Sequence, residues 1–227
     1  MGTSIRTSGL AAVLALGLLV PFSAVAQERT VTVKGSATQE VPNDTAKLGF
    51  SVTKERRSRA EALRVVSVRL REVIAAVQTI PGVGPGDVTT GQISVRKVPR
   101  GKRPLYRASE GITVILHEPG RAGELISAAI ANGATGTNGP NFFPGNPEAA
   151  YNNTLVAAFD QAKAKASALA IRAGATLGPA INIEEGTEVI PSQPQTRTKQ
   201  DAAEPAPPVK PGGSTVTATV RVVFALQ

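Results

Sequence analysis

The chain has 227 residues, no cysteine and a formal net charge of +8. Without thiols, disulfide staples, thiolate metal ligation and cysteine nucleophiles are excluded, so the fold must be held by packing alone. With 4% aromatics and no tryptophan, it lacks the base-stacking platforms of single-strand binders, and nucleic acid is not expected as a partner.

The positive balance either keeps the protein soluble or suits anionic partners such as lipid headgroups, surface polysaccharide or acidic proteins. Residues 1–26 read as a secretory signal peptide: Arg6 without acidic neighbours, an apolar run from Leu10 to Val20, then Ala24-Val25-Ala26 as an A-x-A cleavage site. The run is roughly half of the about 20 residues a membrane span needs, and no later segment is long and apolar enough, so no transmembrane span is expected in the mature chain. Arg6 is the only charge in this segment, so its removal lowers +8 to +7. The working domain, 27–227, is therefore expected outside the cytoplasm, in a periplasm, in the cell envelope or beyond it.

Thr30 to Ala37 and Lys47 to Thr53 alternate apolar and polar residues at period two, which predicts strands with one buried face. Val41-Pro42-Asn43-Asp44 between them supplies turn chemistry and predicts a hairpin or a close relative of one. Ser58-Arg59-Ala60-Glu61 has capping-box spacing, and Leu63, Val66, Leu70, Val73, Ile74 and Val77 follow at helical spacing, ending near Thr79. The run Pro81 to Gly86 breaks the chain. Strands are predicted over Gln92 to Val98 and Arg107 to His117, then a short helix from about Arg121 to Asn132-Gly133. Asn138 to Phe143 reads as a strand. Asn146 as N-cap and Pro147 at the first helical position open a helix to about Ala173. Its alanines Ala158, Ala162, Ala166, Ala170 and Ala173, with Leu155, Phe159 and Leu169, predict a narrow stripe lying close on a sheet. The last strands are Ala180 to Ile190 and Thr215 to Leu226, separated by a proline-rich stretch, 191–213, that is expected to be a disordered excursion.

The order is ββαββαβαββ, an α+β fold with a largely antiparallel sheet packed by helices. No internal repeat is evident, and each half could form a subdomain.

A set of short strings in fixed order then carries a resemblance: Val33-Lys34-Gly35-Ser36-Ala37, Val41-Pro42-Asn43-Asp44-Thr45-Ala46, Tyr106-Arg107-Ala108-Ser109, Asn138-Gly139-Pro140-Asn141-Phe142 and Pro147-Glu148-Ala149. Ala162-Lys163-Ala164-Lys165-Ala166 with Leu169-Ala170 and Gly174, and the terminal strand after the proline-rich stretch, continue it. Together they resemble the SIMPL-domain family of exported bacterial proteins over essentially the whole mature chain. The resemblance implies export, an α+β fold, homo-oligomers in some members and a link to oxidative-stress defence, with no catalytic residues to carry over. The chain departs from the pattern at Glu110, where asparagine is usual, and in an unusually basic segment from Lys97 to Arg107.

The search for chemistry yields no catalytic, cofactor or metal residues. His117 is the only histidine and stands at a strand end, so a multi-histidine metal site or a Ser-His pair would need other residues to converge on it. Ser51-Val52-Thr53-Lys54 has S-x-x-K spacing, but on a strand residues three apart point to opposite faces. The glycines at 82, 84 and 86 follow a helix and precede a strand, the reverse of a phosphate loop.

Two basic clusters survive: Lys54, Arg56, Arg57 and Arg59 before or at the start of the first helix, with Arg64, Arg69 and Arg71 further along it, and Lys97, Arg100, Lys102, Arg103 and Arg107 in one loop. If the fold joins them they form an anion-attracting surface; the plainer arrangement is two separate solvated faces. The function expected is therefore non-enzymatic, by homo-oligomeric assembly or by peripheral contact with anionic envelope components. The alternative is a hydrolase-like envelope enzyme whose site shows no sequence motif.

Overall fold

The alternating and helical runs settle into eight strands and three helices in a computed structural model that describes residues 28–100, 103–186 and 210–227. In chain order these are β1 (Thr30–Pro42), β2 (Thr45–Arg56), α1 (Arg59–Val77), β3 (Val88–Thr90), β4 (Ser94–Val98), β5 (Leu105–Leu116), α2 (Ala122–Ala131), β6 (Gly136–Phe143), α3 (Pro147–Arg172), β7 (Leu177–Glu185) and β8 (Gly213–Leu226), with a 3-10 turn, Pro119–Arg121, before α2. The predicted order holds, with one addition: β3 is too short to show a period. The expected signal segment, 1–26, and residues 191–209 of the proline-rich stretch lie outside the described residues.

The strands form two sheets, and every pairing is antiparallel. One has the order β1-β8-β7; the other has β3-β5-β2-β6, with β4 also paired to β5. This overturns the β1–β2 hairpin, because β1 runs along β8 while β2 lies between β5 and β6. The physical reason is in the turn residues themselves. Asn43 is buried; its backbone N–H donates to the Gly212 carbonyl at 3.2 Å, its side-chain amide donates to the Pro211 carbonyl at 2.9 Å, and it accepts from the Ser214 hydroxyl at 2.7 Å. Asp44 accepts from the Gly145 amide and the Thr45 hydroxyl. The connection is thus held to the start of β8 and to the approach to α3, and it passes the chain from one sheet to the other.

Each sheet buries one face under helices. In the larger unit Ala62, Val66, Leu70, Val73 and Val77 of α1 and Leu125 and Ala129 of α2 pack on Ala46, Leu48, Phe50 and Val52 of β2 and Ala108, Ile112, Val114 and Leu116 of β5. The smaller unit packs α3 on Val33 and the β8 residues Val216, Ala218, Val220, Val222 and Phe224. The two units are not the two halves of the chain, since β1 joins α3, β7 and β8.

In α3 the step of four from Ala158 through Ala162 and Ala166 to Ala170 is fully buried. A side chain on Gly35 of β1 would place its Cβ 2.0 Å from the Ala158 carbonyl oxygen and 2.8 Å from the Ala162 Cβ. Small residues on both partners therefore let helix and strand approach closely. Leu155 and Phe159 pack beside this stripe as expected, but towards the end of the helix Leu169 is 52% exposed and Ala173 is exposed.

Helix ends mostly follow local chemistry. Asn146 caps α3 by accepting from the Ala149 amide at 2.9 Å. The capping box at Ser58 does not form: the Ser58 side chain makes no cap bond, and Glu61 turns instead toward Arg56, 3.6 Å away.

Candidate functional site

In the larger sheet β2, β5 and β4 lie side by side, and their register creates two polar rows. Thr53 and Ser94 flank Ser109 from opposite sides, and Glu55 and Arg96 flank Arg107. The intervening row is Lys54, Ala108 and Val95; Ala108 is buried in the core under α1 and Val95 packs against it, so period two sends both polar rows to the face that carries no helix and turns Lys54 toward the helix side. The Thr53 and Ser109 hydroxyls are hydrogen-bonded at 2.9 Å. The result is an open cleft of about 660 Å³, lined by Thr53, Lys54, Glu55, Ser94, Arg96, Arg107 and Ser109.

The next row outward is Arg56, Tyr106 and Lys97, again across the same three strands but on the helix side. Arg57 and Arg59 follow at the turn into α1; Arg100 and Arg103 lie in the connection from β4 to β5. The two basic clusters therefore share one end of the larger sheet, with Arg56 and Lys97 on its helix side and Arg107 on the open face. Antiparallel pairing places the end of β2 beside the beginning of β5, and the β4–β5 connection turns at that same end. Lys102 lies outside the described residues.

Few carboxylates offset this charge. Glu55 accepts from Arg107 through both Nε, at 2.7 Å, and Nη2, and stands 3.6 Å from Arg100. Glu61 pairs with Arg56. Arg57, Arg59, Arg96, Lys97 and Arg103 have no ion-pair partner among the described residues. Arg96 and the hydroxyl row went unnoticed in the sequence. Their signal was the mirrored pair Ser94-Val95-Arg96 and Arg107-Ala108-Ser109, which antiparallel pairing turns into matched neighbours.

The carboxylate beside the hydroxyls, Glu55, is engaged by Arg107. His117 stands just past the other end of β5, 55% exposed, with Nε2 3.2 Å from Asp87 Oδ1, while Asp87 Oδ2 accepts from the Gly84 amide at 2.7 Å. Gly82, at φ 87°, turns the chain there, and its carbonyl accepts from the His117 amide. The pair fastens a glycine-rich turn. Nearby, the hydrogen bonds that Arg121 donates, first to Glu118 and then to Glu124, raise its pKa above the ordinary value. Among the described residues no group of three His, Asp or Glu side chains is placed to hold a metal, and no helix is long and apolar enough to cross a membrane.

The model of the SIMPL family, described as a protein of unknown function (DUF541), matches residues 31–224. The chain belongs to the SIMPL family. The matched span opens at Val31 in β1 and closes at Phe224 in β8, and these two residues are register partners. The 26 kDa periplasmic immunogenic proteins of Brucella melitensis and Brucella abortus are each 26% identical over 216 residues, covering 88% of this chain and 86% of theirs. In this SIMPL domain the strings that carry the resemblance have structural work: Gly35 seats α3, and Asn43 and Asp44 join the two sheets. Glu110, the departure, accepts a hydrogen bond from Ser67 of α1 at 3.3 Å.

Proposed function

We propose that this SIMPL protein is exported to the periplasm or cell envelope and acts there without catalysis, by docking on anionic envelope components. The leading segment with its A-x-A site and the periplasmic naming of the Brucella relatives support export. The observation that carries the binding role is the convergence of Arg56, Arg57, Arg59, Lys97, Arg100, Arg103 and Arg107 on one end of the larger sheet, with Glu55 and Glu61 as the carboxylates paired there. Near an anionic membrane each such cation contributes about 1 kcal/mol. Exposed charges are screened beyond about 10 Å at 0.1 M salt. The purified mature protein is therefore expected to co-sediment with phosphatidylglycerol vesicles at low salt and to release at high salt. Binding that is indifferent to lipid charge and to salt would refute the docking role.

Homo-oligomeric assembly is a second reading, and a different observation favours it. β7 is an edge strand exposing Ile181 and Ile183; β1 is the opposite edge, where Gln161 and Lys165 of α3 already bond the Ser36 N–H and the Lys34 carbonyl. Unpaired strand edges are templates for another chain. Native mass measurement checks this: a monomer persisting at high concentration removes it. A role in stress defence rests on the family resemblance alone.

A further inference from the structure

We propose that the cleft over β2, β5 and β4 is a binding site for a phosphorylated sugar; this deepens the anion-binding reading above and rests on it. On the face without helices the lining sets two cations, Arg96 and Arg107, against one carboxylate, Glu55. A phosphate monoester carries about −1.5 to −2 near neutral pH and offers three acceptor oxygens, which suits two guanidinium groups of which one is only partly offset by a carboxylate. Arg107 is already oriented by Glu55, while Arg96, its neighbour in the ladder, is uncommitted among the described residues. A guanidinium presents a rigid fork of donors suited to phosphate oxygens, and directly opposed residues of an antiparallel pair stand about 5 Å apart. Two such forks side by side can share one phosphate.

The cleft's about 660 Å³ exceeds what a phosphate needs, so the ligand has a body. The remaining lining is the hydroxyl row of Thr53, Ser109 and Ser94, with no aromatic or large aliphatic side chain. Pockets for apolar ligands are lined predominantly by hydrophobic and aromatic side chains, which excludes an apolar body here. Hydroxyls both donate and accept, as sugar hydroxyls do, so a polyol body can exchange hydrogen bonds along the row.

The test is calorimetric titration of the full mature protein at low salt with glucose 6-phosphate, glucose and inorganic phosphate, alongside vesicles carrying phosphatidylinositol 4-phosphate. Glucose 6-phosphate is expected to bind tighter than either of its parts. R96Q is expected to weaken it at least tenfold. T53V, which keeps a strand-favouring residue on β2, is expected to weaken glucose 6-phosphate several-fold and to leave inorganic phosphate unchanged. If the soluble ester binds more tightly than the vesicle, the ligand is free; if the vesicle does, it is a surface component; both require the R96Q loss. Glucose 6-phosphate binding no tighter than inorganic phosphate, or unaffected by R96Q, overturns the proposal. The two readings fail separately. Phosphatidylglycerol docking without ester binding leaves the surface role standing and removes the cleft ligand, whereas R96-dependent ester binding without docking does the reverse.

Discussion

At the scale of single residues the most demanding position is Gly35. A methyl group there would sit 2.0 Å from a helix carbonyl, and neither the backbone of α3 nor that of β1 is free to retreat, because β1 is paired along its length to β8. Overpacking a tight core commonly costs 1 to 3 kcal/mol, and a backbone contact has no side chain to yield, so Gly35→Ala is expected to cost about 3 kcal/mol or more. A thermal melt of the variant, with hydrogen exchange at the Ala158 to Ala166 amides, checks whether the loss is localised to α3. A melt indistinguishable from wild type would mean the helix can slide. Gly35 also explains why the alanines of α3 are small: a larger residue at Ala158 or Ala162 would lift the helix off the strand from the other side.

At the scale of elements the decisive feature is the crossing from β1 to β2. Asn43 satisfies Pro211, Gly212 and Ser214 with a single buried side chain and its own backbone, so removing the amide leaves buried polar groups without partners. Each such group costs about 1 to 3 kcal/mol, which places Asn43→Ala at about 2 to 3 kcal/mol and a melting temperature lower by roughly 5 to 10 °C. Circular dichroism melts of N43A test this; an unchanged midpoint would show that water replaces the amide at no loss. The same residues mark the limit of reading the sequence. Period two in β1, β2, β5 and β8 and the helical spacing of α1 and α3 were legible because burial of one face imposes them. Val41-Pro42-Asn43-Asp44 looked like a hairpin turn because turn chemistry is local, whereas the partners of Asn43 lie at positions 211 to 214. The capping box misled for a related reason: Ser58 and Glu61 have the right spacing, but Arg56 competes for the carboxylate. The cations of the candidate site were legible as composition. Their meeting, and the place of Arg96 among them, depended on strand register, which no short window contains.

At the scale of the whole molecule charge is unevenly distributed, since one end of the larger sheet gathers Arg57, Arg59 and Arg103, cations without an ion-pair partner among the described residues. With about 1 kcal/mol for each cation near an anionic membrane, the triple variant R57Q/R59Q/R103Q is expected to bind phosphatidylglycerol vesicles about a hundredfold more weakly at low salt. Its melting temperature should stay near that of the parent, because exposed substitutions away from caps and cores seldom move stability by more than about 0.5 kcal/mol. Vesicle binding that survives the triple change would place the contact elsewhere on the surface.

The pairing of β1 with β8, from Thr30 with Ala225 to Pro42 with Gly213, means that an early strand waits for a very late one. While the polypeptide is still growing, β2 to β6 have all their partners and can condense first, and β1 remains an unclasped ribbon. Contacts so distant in sequence are slow to close. A version stopped before Gly213 is accordingly expected to keep protected amides in β2 and β5 and to lose them in β1 and α3. Cooperative collapse of everything at once would show instead that the late strand governs the entire architecture.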